Sequence, residues 1–185
     1  MLVILSGQHY LVDVGMGTRG PIVVLPLLHG FTTTSIAPSH VRLLYGHLPE
    51  SSSQHPSDRM WRLECRSREA SPWIPTYAFG TTEWFQADFE VLQWYWFTNS
   101  SSWMVQGVVA TRLTLDHAKE NGDGFISFAN GVLREVRDGK VTIRRRSSTP
   151  EEAREILRTA FGIHISDEEA WNLERSLRRI GEAKL

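Results

Sequence analysis

One carboxylate sits in unusual company. In Tyr10-Leu-Val-Asp-Val14, Asp13 has apolar neighbours on both sides and falls in a stretch with the character of a buried strand. A carboxylate taken out of water needs a hydrogen-bonding or charged partner to offset its lost hydration. Two roles satisfy that need. The side chain can cap the glycine turn that follows it, or it can act as the orienting acid that holds a histidine in the right tautomer beside a nucleophile. The only cysteine, Cys65, lies between Glu64 and Arg66 on a strand-like stretch, where free thiols are mostly inert core residues. His9 is four residues from Asp13, so on one strand the two would be about 13 Å apart and would not pair. The remaining histidines, His29, His40, His47, His55, His117 and His164, show no metal-ligand spacing with cysteine or acidic residues, and no metal is expected.

A second motif suggests nucleotide chemistry on paper. Gly15-x-Gly17-x-x-Gly20 follows a strand, as in dinucleotide-binding turns. Pro21 stands where the phosphate-binding helix would have to run, and it lacks a backbone donor. Between Val14 and Pro49 there is no acidic residue to bind a ribose hydroxyl. The motif is therefore read as a plain glycine turn. Arg144-Arg-Arg146 suits phosphate oxygens, but a short basic run at a strand end more often faces water. The aromatic run Trp94-Tyr-Trp-Phe97 is read as core.

The elements that must position these residues follow from pattern. Residues 1–5 and 9–14 flank Ser6-Gly7-Gln8 and form a hairpin. Residues 46–58 are rich in polar and turn-forming types, a surface loop. Residues 60–66 alternate as a strand, and residues 77–79 form another. Residues 88–97 form a helix with Phe89, Leu92 and Trp96 on one stripe. Residues 105–115, 124–129, 132–137 and 141–145 form strands, the last three joined by tight turns at Asn130-Gly131 and Asp138-Gly139. Thr149-Pro-Glu-Glu152 opens a helix to about Ala160, and Gly162 ends it. Ser166 to Glu169 opens a last helix over 170–180. No element is assigned to residues 29–45. The order of strands, helix, strands and helices indicates an α+β fold with antiparallel sheet.

The composition is that of an ordinary globular chain: 185 residues, 41% hydrophobic and 22% charged, with a net charge of -1. That charge offers no global attraction to nucleic acid or to an anionic membrane. Seven Trp and eight Phe suit a core or a cleft for flat ligands. The longest apolar run, residues 22–28, is too short to span a bilayer. No basic segment precedes the apolar start, so no signal peptide is expected. A single cysteine points to a reducing, cytoplasmic setting.

Tyr10-Leu-Val-Asp-Val-Gly-Met-Gly17, followed by Pro21 and Leu25-Pro-Leu27, resembles the strand and turn of arylamine N-acetyltransferases. There, Val-Asp-x-Gly-Phe-Gly carries the aspartate of a Cys-His-Asp triad. Met16 replaces the usual Phe. Asp88-Phe-Glu-Val-Leu-Gln-Trp-Tyr95 with Ser100-Ser-Ser-Trp-Met104 resembles the interdomain helix and the segment after it. The stretch from Val132 to Ile163 is similar to the C-terminal strands and helix, and the overall flavour is closest to fungal members. The resemblance covers the C-terminal two-thirds of the family.

It implies acetyl transfer from acetyl-CoA through a cysteine thiolate to an arylamine or arylhydrazine. Asp13 is the triad residue carried over. The family histidine would fall three positions before Met1, and the cysteine further upstream in a helical domain. Tyr95 and Ser101 match positions that contact coenzyme A, although Gln93 stands where the family usually has Asn. The expected architecture is a partial antiparallel β-barrel over residues 1–85, an interdomain helix with an α/β lid over 86–165, and a C-terminal helix over 166–185. As given, the chain reads as an acyltransferase fragment, inactive alone, from a truncated reading frame. Two alternatives stay open: a non-catalytic CoA-binding or regulatory paralogue, and an unrelated α+β scaffold.

Overall fold

The computed structural model describes residues 1–114 and 124–170, and it divides into two compact units. The first comprises, among the described residues, 1–82 together with 114, 124–125 and 137–140. It opens with β1 (Leu2–Leu5) and β2 (Gln8–Leu11), joined by Ser6 and Gly7, both with left-handed φ. Such a two-residue turn matches the natural twist of a hairpin. β3 (Leu25–Pro26) pairs with β2, so Leu11 lies opposite Leu25. A second sheet takes β4 (Thr32–Thr34), β5 (His40–Gly46), β6 (Met60–Arg66) and β7 (Ile74–Phe79) in sequential antiparallel order. The core lies where both sheets contribute: Leu11 and Leu25 from one, and Val41, Leu43 and Leu63 from the other.

β5 is a strand that the pattern reading left unassigned. Its alternation is nevertheless clear, with Val41 and Leu43 buried and His40 and Arg42 on the opposite face. On that outer face Glu64 is buried, although it belongs to the polar side of β6. Arg42 donates to its Oε2 at 2.7 Å and Arg62 to its Oε1 at 2.7 Å, which compensates the lost hydration. The Trp73 ring lies 4.4 Å from the Arg42 guanidinium and 4.5 Å from that of Arg66.

The second unit comprises, among the described residues, 83–113, 126–136 and 141–170. Its helices are α1 (Gln86–Thr98), α2 (Trp103–Gln106) and α3 (Pro150–Phe161). β8 (Val109–Thr114), β9 (Gly124–Ala129), β10 (Val132–Arg137) and β11 (Lys140–Arg146) follow one another across a sheet. α3 lays Ala153, Ile156 and Leu157 against Ala110 and Phe128. It starts where expected, with the Thr149 hydroxyl accepting from Glu152 N–H at 3.2 Å, and it ends at left-handed Gly162. The turns Asn130-Gly131 and Asp138-Gly139 take left-handed φ at both residues.

Four expectations are corrected. Both sheets of the first unit are open, so no closed barrel forms among the described residues. Asp13 is not on the strand, because β2 ends at Leu11 where Asp13 turns the chain into the glycine loop. The expected strand over 105–115 begins later, because residues 103–106 form a helical turn with Ser102 Oγ accepting from Met104 N–H at 3.3 Å. The aromatics of α1 are not core. Phe89, Leu92, Trp94 and Trp96 are all exposed. The end of the 105–115 strand, His117 and the helix over 171–180 lie outside the described residues. Among the described residues, no helix is long and apolar enough to cross a membrane.

Candidate active site

Asp13 is held from two directions. Its Oδ1 accepts from the backbone N–H of Gly15 at 2.8 Å and of Met16 at 3.2 Å. This is a side-chain turn of the kind aspartate makes when the chain reverses just after it. Its Oδ2 accepts from the Tyr77 phenol at 2.5 Å. Tyr77 is 64 residues further along, on the β7 edge of the second sheet. The turn-capping reading of Asp13 is therefore the one these contacts match. The side chain caps the turn, and it is also fixed in orientation by a tertiary contact.

A carboxylate offers about four lone-pair sites. The Gly15 and Met16 donors occupy Oδ1 and Tyr77 takes one position on Oδ2, which leaves one acceptor site open among the described residues. Burial, and then the hydrogen bond to Asp13, raise the Tyr77 phenol well above its ordinary pKa of 10.0. Tyr77 is thus a permanent donor at physiological pH. Sequence reasoning missed Tyr77. Its apolar flanks in Ile74–Phe79 read only as strand, and nothing local links it to residue 13.

The glycine loop serves this carboxylate. Residues 17–19 form a single 3-10 turn closed by Gly20 N–H to the Gly17 carbonyl at 3.1 Å, not a phosphate-binding helix. A Cβ at Gly20 would come within 2.9 Å of Met16 Cβ and 3.5 Å of Asp13 Oδ2. The loop needs glycine there because the backbone folds directly over the acid. Buried Ser35 ties the far end, donating to the Gly20 carbonyl at 2.7 Å.

The other predicted site residues lie in the second unit. Tyr95 is half-exposed near the C-terminal end of α1 and makes an edge contact with Trp96, at 5.9 Å between ring centroids. Ser101 follows in the turn, where its backbone N–H donates to Asn99 Oδ1 at 2.9 Å. Neither hydroxyl is engaged among the described residues, so both remain available as donors to a ligand. α1 itself starts with Phe85 N–H donating to Asp88 Oδ2 at 2.8 Å.

Cys65 packs against the core of the first unit opposite Val41. His29 Nδ1 accepts from Tyr45 N–H at 3.0 Å, and His9 lies opposite Ile4 on the edge hairpin. No hydrogen bond joins a histidine to Cys65 or Asp13 among the described residues. Arg144 is paired with buried Glu135, its Nε donating at 2.5 Å. No three His, Cys, Asp or Glu residues gather to hold a metal ion among the described residues.

A protein-family model described as N-acetyltransferase matches residues 1–170. The N-malonyltransferase FDB2 of Fusarium pseudograminearum is 34% identical over 183 residues, 96% of this chain and 53% of its own length. Its counterpart in Gibberella moniliformis is 31% identical over the same span. The arylamine N-acetyltransferase from Mycobacterium abscessus superposes with a TM-score of 0.75 at 20% identity, over 97% of this chain and 57% of that one. That of Mycobacterium marinum, solved in complex with CoA, gives 0.70 at 23% identity, over 98% and 59%. The chain therefore spans about half the length of the curated relatives it matches.

Proposed function

The chain belongs to the arylamine N-acetyltransferase family, and from that premise we propose that Asp13 is the acid of an acyltransfer triad whose thiol and imidazole lie outside these 185 residues. The observation that carries this reading is the one open acceptor position on a carboxylate otherwise fixed by three hydrogen bonds. An imidazole N–H donating there would be held in one tautomer, and the imidazolium formed when it takes a thiol proton would lie beside a negative charge. The thiolate would then attack the thioester carbonyl of an acyl-CoA, release CoA and pass the acyl group to an arylamine or arylhydrazine nitrogen. Tyr95 and Ser101 would hold the acyl-CoA through their unengaged hydroxyls.

The donor is either acetyl-CoA or malonyl-CoA, and the names of the curated relatives favour the second. On this reading residues 1–85 carry the acid, residues 86–165 carry the CoA contacts, and the setting is cytoplasmic. Cys65 is no substitute nucleophile, because it packs against the core and no histidine is hydrogen-bonded to it among the described residues. Family membership removes the unrelated-scaffold reading. The rival that survives is a non-catalytic CoA-binding or regulatory chain, favoured by the core placement of Cys65.

One assay separates the two. The chain, its fusion to the unmatched part of the Fusarium pseudograminearum relative, and that fusion with Asp13→Asn are compared for acyl transfer from acetyl-CoA and malonyl-CoA to an aromatic amine. Activity is expected in the unmutated fusion alone. The Asp13→Asn fusion should lose about 10⁴-fold in kcat, because an amide favours the wrong tautomer. Turnover by the 185-residue chain, abolished by Cys65→Ser, would overturn the assignment.

A further inference from the structure

β11 is an open edge that carries charge. It ends its sheet, with β10 as its one neighbour among the described residues, and all seven of its residues are exposed. An edge strand turns unpaired N–H and C=O groups outward. Among the described residues, none of the backbone groups of 140–146 bonds outside the sheet. Four of the seven residues are cationic and none is acidic. Alternation divides them, with Val141, Ile143 and Arg145 on one face and Arg144 and Arg146 on the other. Arg144 is neutralised by Glu135. Arg145 lies in the field of Glu155, but both oxygens of that carboxylate already accept from Arg158. Lys140 and Arg146 have no ionic partner among the described residues. Val141 and Ile143, exposed at 63% and 50%, add apolar surface beside the charges. The basic run is therefore part of the strand itself, not a solvated tail beyond its end.

We propose that β11 docks an acidic, extended segment of a partner protein, which adds to the four-stranded sheet as a further strand. Proteins blunt sheet edges by keeping them short, by proline or by charge. This edge is longer than the usual strand of about 5–6 residues and contains no proline, so charge is its main guard. That guard is selective. Two copies of β11 would set like charges opposite one another, which destabilises a ladder, so a second copy is refused. An acidic strand meets the reverse. Its carboxylates are drawn to Arg145 and Arg146, while its backbone completes the outward row of donors and acceptors. A nucleic-acid strand fits less well, because its phosphates accept from the N–H groups and offer nothing to the carbonyls. With a net charge of -1, the chain has no general attraction for polyanions, and the basic character is local to this edge. Nothing in this docking depends on the triad.

The test reads binding and protection, not catalysis. A fluorescent peptide matched in length to β11, alternating Glu with Val and Thr, is titrated into the 185-residue chain and followed by anisotropy. Amide hydrogen exchange maps where it binds. The expected result is saturable binding that weakens as salt rises, with exchange over residues 141–146 slowed at least tenfold. Arg145→Gln combined with Arg146→Gln should weaken binding tenfold or more, whereas Arg59→Gln, in the first unit, should not. The same peptide N-methylated at alternate residues keeps its charge but cannot complete the ladder, and it should bind at least tenfold more weakly. Circular dichroism checks that each variant is folded, and the single substitutions serve where the pair is not. Five results overturn the proposal: no binding, binding indifferent to both arginines, equal binding of the methylated peptide, protection that falls on β1 and not on β11, or tighter binding of a single-stranded oligonucleotide of matching charge.

Discussion

At Asp13 the decisive contact is with a residue that local sequence cannot point to. Tyr77→Phe removes the donor on Oδ2 and keeps the ring among Phe79 and its core neighbours. A hydrogen bond to a charged group contributes about 1.5–3 kcal/mol, so destabilisation of that order is expected in denaturant titrations near neutral pH. The pH dependence gives a sharper signature. Because the folded phenol ionises well above its ordinary value of 10.0, its contribution is fully present below about pH 10. Above that, the unfolded phenol loses its proton first, and stability falls as pH rises. Tyr77→Phe should remove this alkaline loss, whereas an unchanged alkaline limb would mean that the phenol is not held by Asp13. Gly20→Ala tests the loop from the other side. The new Cβ meets Met16 Cβ, which cannot swing away, so a cost of about 1–3 kcal/mol is expected from equilibrium unfolding.

Among the elements, α3 shows local signals agreeing with the fold. Thr149→Ala should cost about 1 kcal/mol by freeing the N–H of Glu152. Ile156→Ala should cost about 2–5 kcal/mol, since the side chain is fully buried against the β8–β11 sheet. Thermal unfolding of both variants checks the order, and a larger loss at Thr149 than at Ile156 would contradict the packing described. The hairpins were equally readable, because an Asn-Gly or Asp-Gly pair makes its own turn. β5 was overlooked, although Val41 and Leu43 alternate with His40 and Arg42 as a half-buried strand should. α1 differs: its pattern specifies a helix, but its apolar side chains are exposed, so apolar character alone does not imply burial.

At the scale of the whole molecule, an apolar edge accompanies the bare helix. Among the described residues β1 pairs only with β2, and Ile4 and Leu5 are exposed at 61% and 58%. An uncovered apolar edge strand is a template for pairing with further chains. The chain should therefore self-associate as concentration rises, and Ile4→Lys should lower that tendency in light scattering without lowering the melting temperature. A chain that stays monodisperse at high concentration in both forms would show that β1 is not a sticky edge.

The amino-acid sequence by itself determined whatever depends on near neighbours. The hairpin turns, the caps of α3, the alternation of β6 and the Asp13 turn are set by backbone geometry and by side chains a few residues apart. Family membership was also readable there, because the Val-Asp-x-Gly-x-Gly stretch survives as a run of adjacent residues. Only the tertiary structure decided the partners that lie far apart in the chain. Tyr77 reaches Asp13 across 64 residues, Ser35 ties the Gly20 carbonyl, and Arg42 neutralises Glu64. It also decided that the aromatics of α1 stay exposed, while the polar Glu64 is buried. The physical reason is that burial is a property of surroundings: the hydrophobic pattern states which residues would gain by leaving water, and only the assembled fold supplies, or fails to supply, the surface that covers them.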